Sequence, residues 1–276
     1  MTLDTRPIPR TGERIPAVGL GTWQAFDVPR AGPERAAAKE TLRAFAGLGG
    51  TVIDSSPMYG AAEQAVGDLA AELGCAGGLF VATKVWTSGR DAGVRQMEAS
   101  LAKLRVERID LMQIHNLVDT DIHLATLDEW RKEGRVRYLG VTHYTAGGHA
   151  ALEAAIRRHR PDFVQLNYSV AEREAERRLL PLAEGEGVAV LVNRPLVQGR
   201  VLGRLRGRPL PAWAGEIDCA SWAQVCLKFV LGHPSVTCVI PGTRNAQHLA
   251  DNLGAARGRL PDAALRARIA AYFESV

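Results

Sequence analysis

The chain predicts a closed barrel of eight parallel strands, each followed by a helix: a (β/α)8 fold in one domain over residues 1–276. Three observations predict it. Eight short apolar runs recur along the sequence. Between them lie longer amphipathic or alanine-rich segments, so that one strand and its crossover helix take about 25–30 residues. Finally, barrels of this kind commonly occupy about 250 residues as one domain. A doubly wound open sheet is the rival, and it usually has fewer strands.

Strands are expected over 17–23, 51–56, 80–86, 109–115, 138–142, 163–168, 188–193 and 236–240. Helices are expected near 33–48, 61–73, 91–105, 122–133, 147–159, 172–186, 219–231 and 245–256. Gly49-Gly50 ends the first helix and Gly134 the fourth. Pro195 follows the seventh strand, where it cannot continue a ladder. The opening RPIPRTGERIP has turn residues at Thr11-Gly12 and reads as an N-terminal hairpin capping the barrel floor. Residues 261–274 read as a C-terminal helix outside the barrel. The longest irregular stretch, 196–217, would follow strand seven on the rim, where long loops usually cover a ligand. It carries Arg200, Arg204, Arg206 and Arg208, which would clamp a pyrophosphate or an acidic substrate, or else simply be solvated.

Composition narrows the function classes. An apolar fraction of 46% with 23% charged residues is that of an ordinary soluble protein. A net charge of +4 is mild, and without aromatic-basic interleaving it gives no nucleic-acid surface, though it suits a small phosphorylated ligand. Cys75, Cys219, Cys226 and Cys238 form no C-x-x-C pair and no His/Cys cluster at metal spacing, so no metal is expected and the thiols read as reduced, in a cytoplasmic protein. The N-terminus has no apolar signal core, and no run nears the roughly 20 residues that span a bilayer. Oligomeric state is not legible.

Four residues near the ends of the first strands carry the chemistry: Asp54, Tyr59, Lys84 and His115. A lysine inside an apolar strand is costly unless a partner offsets it, and Asp54 is such a partner. A tyrosine beside that ammonium is expected to lose its proton more easily than its ordinary value of about 10 suggests. With a histidine beside it, the phenol can protonate or polarise a carbonyl. Trp23 and Trp86, at strand ends near this set, are expected pocket walls alongside Tyr59 and His115, with Tyr144 and Trp213 as weaker choices.

The stretches GGTVIDSSPMYG (49–60), ATKVW (82–86) and QIHN (113–116), with VGLGTW (18–23) and IPGTRNAQHLADNL (240–253), resemble the aldo-keto reductase family over essentially the whole chain. The resemblance implies a barrel that reduces aldehydes or ketones, or oxidises the corresponding alcohols, with a nicotinamide cofactor, usually NADPH. It implies that Tyr59 is the general acid, that Lys84 lowers its pKa, that Asp54 pairs with Lys84, and that His115 orients the substrate oxygen. No G-x-G-x-x-G sits in a strand-to-helix turn, so the cofactor would not be held in Rossmann fashion.

The cofactor would instead meet the strand ends at Gly21, Thr22, Trp23 and Asp54, and the segment Ile240, Gly242, Thr243, Arg244, His248, Asp251 and Asn252. The N-terminus of helix 245–256 would favour a phosphate, and Arg244 would pair with a 2′-phosphate. Where the family often has Ser-Asn after strand five, this chain has Thr142-His143. Gln165 matches the other carboxamide contact. Where the family stacks a tyrosine on the nicotinamide, this chain has Asn193, followed by Arg194, Pro195 and Leu196. Asn193 cannot stack as an aromatic does, and Arg194 is the candidate to cover the ring. These departures leave two alternatives open: a non-redox lyase, isomerase or cyclase using the same four residues, and a nicotinamide-sensing regulatory subunit.

Overall fold

Alternation along each strand decides what the barrel encloses. A computed structural model describes residues 2–276. Its ten strands are β1 (Thr5–Pro7), β2 (Arg14–Pro16), β3 (Leu20–Gly21), β4 (Val52–Asp54), β5 (Phe80–Val85), β6 (Ile109–His115), β7 (Val136–Thr142), β8 (Phe163–Asn167), β9 (Ala189–Asn193) and β10 (Val236–Val239). The helices are α1 (Pro33–Gly47), α2 (Ala62–Leu73), α3 (Arg90–Leu104), α4 (Thr120–Lys132), α5 (His149–His159), α6 (Leu179–Gly185), α7 (Arg200–Arg204), α8 (Trp222–Leu231), α9 (Ala246–Gly254) and α10 (Ala263–Glu274).

Strands β3 to β10 lie side by side in chain order, every pairing parallel, and bridges Val18–Val239 and Gly21–Gly242 join the two edges. Gly21 stands at this seam, where a Cβ would lie 2.7 Å from the Ile240 carbonyl oxygen, so only glycine lets the edges meet. The seam also explains why the first strand is shorter than expected. Ladder pairing covers only Leu20–Gly21, and Val18 makes a lone bridge.

Inward positions form layers. Val52, Phe80, Leu111, Tyr138, Phe163, Ala189 and Cys238 pack at the floor with Ile8 and Ile15 of the β1–β2 hairpin. The hairpin therefore plugs the barrel, and Glu13 holds it by accepting from the Tyr138 hydroxyl at 2.5 Å. Above this apolar floor the next inward residues are polar: Asp54, Lys84, Gln113 and Gln165. The outward residues pack against the helices as a second, larger core.

Two expectations change. The helix expected over 172–186 is a 3-10 turn at Glu174–Arg177 and then α6, because Arg178 leaves helical geometry at φ −143°. The stretch 196–217 contains α7 and a 3-10 turn at Ala212–Ile217. Trp213 on that turn is buried, edge-on to Trp222 and Tyr272, and so packs into the core instead of lining a pocket. Arg204 lies over the Phe273 ring at 4.4 Å, tying the same loop to α10.

Candidate active site

Inward alternation and strand register bring the polar residues together at one end of the barrel. Lys84 is fully buried, and its Nζ donates to Asp54 Oδ2 at 2.6 Å and to the Ser55 carbonyl at 2.7 Å. Asp54 Oδ1 accepts from Gln113 Nε2 at 3.0 Å and from Gln165 Nε2 at 2.9 Å. A buried carboxylate with an ammonium and two amide donors meets the requirement that buried charge be paired and hydrogen-bonded. Burial works to strip Lys84 of its proton, but Asp54, aided by Tyr59, outweighs it and holds the ammonium pKa above its ordinary value.

Tyr59 lies in the turn between β4 and α2, with Lys84 Nζ 5.0 Å from its ring centroid. Its ring stands edge-on to His115, centroids 6.1 Å apart at 89°. The expected fall in the phenol pKa is corrected here. Burial pushes Tyr59 up more than Lys84 pulls it down, and Asp54 adds to the rise. Tyr59 therefore keeps its proton at neutral pH. His115 is buried at the end of β6, and burial first, then Lys84 and His143, push its pKa down to about 3. It is a neutral imidazole at neutral pH. The four residues that the sequence singled out thus share one site.

The expected cofactor residues divide into several roles. The Thr22 hydroxyl meets the Asp54 carbonyl at 3.0 Å and Ser55 Oγ at 2.9 Å, which braces β4. Gln165 lies within the polar layer: its amide donates to Asp54 and to Gln113 Oε1, and its oxygen accepts from Asn193 at 3.3 Å. It supports Asp54 more than it faces outward. Asn193 Nδ2 also reaches the His143 carbonyl at 3.4 Å, while its Oδ1 is buried without a partner. Arg194 is not free to swing: its guanidinium donates to the Tyr144 carbonyl at 2.8 Å and to Glu172 at 3.2 Å. Thr142 is buried at the end of β7, in register with His115 and Gln165. Pro195 and Ile240 are buried, and Leu196 packs on the core.

The last segment departs further from expectation. Asn245 caps α9, its Oδ1 accepting from the Gln247 and His248 amides at 2.8 and 3.1 Å. Those two amides are therefore already satisfied within the cap. Arg244 sits 3.4 Å from Glu34. His248 and Gly242 are exposed, and Asn252 is buried. Asp251 is taken up by α8, accepting from Ser221 Oγ at 2.6 Å and Gln224 Nε2 at 2.8 Å.

At the mouth, Trp23, Trp86 and Tyr144 are 41%, 42% and 50% exposed. Trp86 lies 6.1 Å from His115 between ring centroids, and Tyr144 stacks on His143 at 5.5 Å. Met58, one residue before Tyr59, is also exposed and was missed from the sequence. So was Gln113, although it lies two residues before His115 on the same face of β6. Ser56, which lies 3.1 Å from His115 Nδ1, had no signal beyond its place in the turn. Among the described residues no group of three or more His, Cys, Asp or Glu is placed to hold a metal, and no helix is long and apolar enough to cross a membrane.

Comparison with known proteins bears on this site. The chain is 31% identical over 269 residues to methylglyoxal reductase YeaE of Escherichia coli (strain K12), covering 94% of this chain and 91% of that one. It is 29% identical over 210 residues to aldo-keto reductase YhdN of Bacillus subtilis (strain 168); that match covers 71% of this chain but 62% of YhdN, less than two thirds of it. Its structure resembles an aldo/keto reductase of Klebsiella pneumoniae crystallised with NADP and acetate, at TM-score 0.80 and 25% identity, covering 99% of this chain and 96% of that one. A second Klebsiella pneumoniae structure, an aldo-keto reductase with NADPH, gives TM-score 0.81 at 26% identity, with coverage of 99% and 96%. The family model for the aldo/keto reductase family matches residues 17–268. That match takes in every strand of the barrel and all four clustered polar residues, and the chain belongs to the aldo/keto reductase family.

Proposed function

We propose that the protein reduces an aldehyde or ketone, or oxidises the corresponding alcohol, by hydride transfer with NADP(H). The observation that carries the reading is one geometry: the Lys84 ammonium, paired at 2.6 Å with Asp54, lies 5.0 Å from the ring of Tyr59, which stands edge-on to neutral His115. The bound nicotinamide supplies or accepts the hydride. The chain's own residues handle the oxygen. Tyr59, protonated at rest, gives its proton to the oxygen as charge develops there. Lys84 stabilises the phenolate that remains, and Asp54 keeps Lys84 charged and in place. His115, being neutral, has one N–H to donate to the same oxygen without adding a buried charge. Trp23, Trp86 and Tyr144 offer apolar walls to the rest of the substrate.

The residues present fit the cofactor. Asn193 Oδ1 is a buried acceptor without a partner, suited to an amide N–H of the nicotinamide, and Thr243 with Arg244 offers a hydroxyl and a guanidinium to a phosphate. YeaE, a methylglyoxal reductase, supports a carbonyl substrate, and the Klebsiella structures support NADP(H). Tyr59→Phe tests the assignment. Turnover of a carbonyl panel should fall about a hundredfold or more, the usual size of general acid catalysis, with NADPH affinity changed less than about twofold. Full activity in the variant would remove Tyr59 from the role.

A further inference from the structure

The orientation of His115 depends on a residue that touches both sides of the site. Ser56 is fully buried in the turn that leads from β4 to Tyr59. Its Oγ lies 3.1 Å from His115 Nδ1, and its carbonyl oxygen accepts the Tyr59 backbone N–H at 3.0 Å. The Met58 N–H points at the same Oγ from 3.4 Å. One residue thus anchors the backbone of the tyrosine and the ring of the histidine, which come from separate strands.

We infer that Ser56 is a positioning residue that fixes the tautomer of His115. A neutral imidazole carries one proton. If it sat on Nδ1, Nε2 would be an acceptor and would repel a carbonyl oxygen; if it sits on Nε2, the ring can donate to that oxygen. The Ser56 hydroxyl has one proton to give, and its oxygen already faces the Met58 N–H. The arrangement that satisfies the Ser56 hydroxyl proton, the Met58 N–H and Nδ1 together has Ser56 donating to Nδ1, which leaves the proton on Nε2. Among the described residues no other hydrogen bond holds the ring. Losing the hydroxyl would leave Nδ1 buried and unpartnered, free to take the proton or to turn away. The same hydroxyl fixes the distance between the two groups, because the Ser56 carbonyl carries the Tyr59 turn. Part of this inference rests on the proposed function, in which His115 faces the substrate oxygen; the tautomer itself does not.

The test uses the full chain without added cofactor. Long-range proton–nitrogen NMR on 15N-histidine protein reads the His115 tautomer directly, with His115→Gln assigning the signal. In the parent, Nδ1 should show the shift of an unprotonated nitrogen and Nε2 that of a protonated one. In Ser56→Ala both shifts should move toward averaged values as both tautomers become populated. Turnover number should fall about tenfold, while NADPH affinity, read by tryptophan quenching, and substrate KM stay within about twofold. Ser56→Thr keeps the hydroxyl and should restore the nitrogen shifts, and it also covers the case in which the alanine variant folds poorly. Unchanged shifts in Ser56→Ala, or a parent protein with the proton on Nδ1, would overturn the inference. Moved shifts with unchanged turnover would uphold the tautomer assignment and instead overturn the role given to His115 in the proposed reaction.

Discussion

Replacing Lys84 by Met should unfold the protein more readily as well as silence it. The side chain is fully buried, and methionine has nearly its shape, so little cavity follows. What is lost is the partner of Asp54, itself 2% exposed, whose Oδ2 receives the ammonium at 2.6 Å. Breaking a buried pair from one side costs about 3–5 kcal/mol, because it strands a charge in low dielectric. Asp54 keeps the amide donors of Gln113 and Gln165, which places the cost near the lower end, about 3 kcal/mol. For a chain of this size each kcal/mol moves the melting temperature by about 2–4 °C, so Lys84→Met should melt roughly 10 °C below the parent. Asp54→Asn should lose a similar amount from the other side, because Lys84 would lose its buried counter-charge and keep only neutral acceptors such as the Ser55 carbonyl. The double variant carries no stranded charge, so it should melt above the sum of the two losses by about 2 kcal/mol or more. Scanning calorimetry of the four proteins at one pH completes the cycle. A single-variant loss under about 1 kcal/mol, or strict additivity, would refute the view that the pair is a coupled buried unit.

Two further predictions concern titration and cofactor choice. His115 has its pKa pushed down to about 3 from an ordinary 6.5, so the unfolded chain binds a proton there that the folded one does not between those values. That contribution to stability is complete above pH 6.5 and is lost as pH falls toward 3, with a slope of up to about 1.4 kcal/mol per pH unit. Melting curves at pH 4.5–7 should therefore be flatter for His115→Gln than for the parent, and equal slopes would refute the burial argument. Arg244→Ala should weaken NADPH binding about tenfold and leave NADH nearly unchanged, the worth of one charge-assisted contact to a phosphate. Glu34, 3.4 Å away, competes for the same guanidinium, so Glu34→Gln should tighten NADPH slightly; equal losses for both nucleotides in Arg244→Ala would remove it from the 2′-phosphate.

What was legible in the sequence follows the range of the forces involved. The succession of short apolar runs is a short-range pattern, and it was enough to place Asp54, Lys84 and His115 at or near the ends of their strands. Once eight strands close, side chains at the same height must meet, and so the four-residue site could be read before any contact was known. The reading is least complete where a group has more than one partner to choose from. The N-terminus of helix 245–256 was expected to favour a phosphate, and Asn245, one residue before α9, also caps it. Gln165, expected at the cofactor, also belongs to the polar layer inside the barrel, where it bonds to Asp54 and Gln113. Asp251, assigned to the cofactor by resemblance, also joins α9 to α8 through Ser221 and Gln224. The partners of Gln165 and Asp251 are distant in sequence, which no local pattern could reveal, whereas the Asn245 cap is local.

The pKa of Tyr59 shows the same limit in energetic form. The pattern of residues gives the sign of one interaction, because an ammonium beside a phenol favours the phenolate. It does not give the depth of burial, and here burial is the larger effect. The correction strengthens the mechanism. A general acid must hold its proton until the substrate oxygen calls for it, and a phenol already ionised at neutral pH would have none to give. Burial keeps Tyr59 protonated at rest, and Lys84, itself kept charged by Asp54, acts when negative charge forms on the Tyr59 oxygen as its proton leaves. The ammonium is thus complementary to the charge of the transition state and not to that of the resting enzyme, and this is where a fixed charge lowers a barrier.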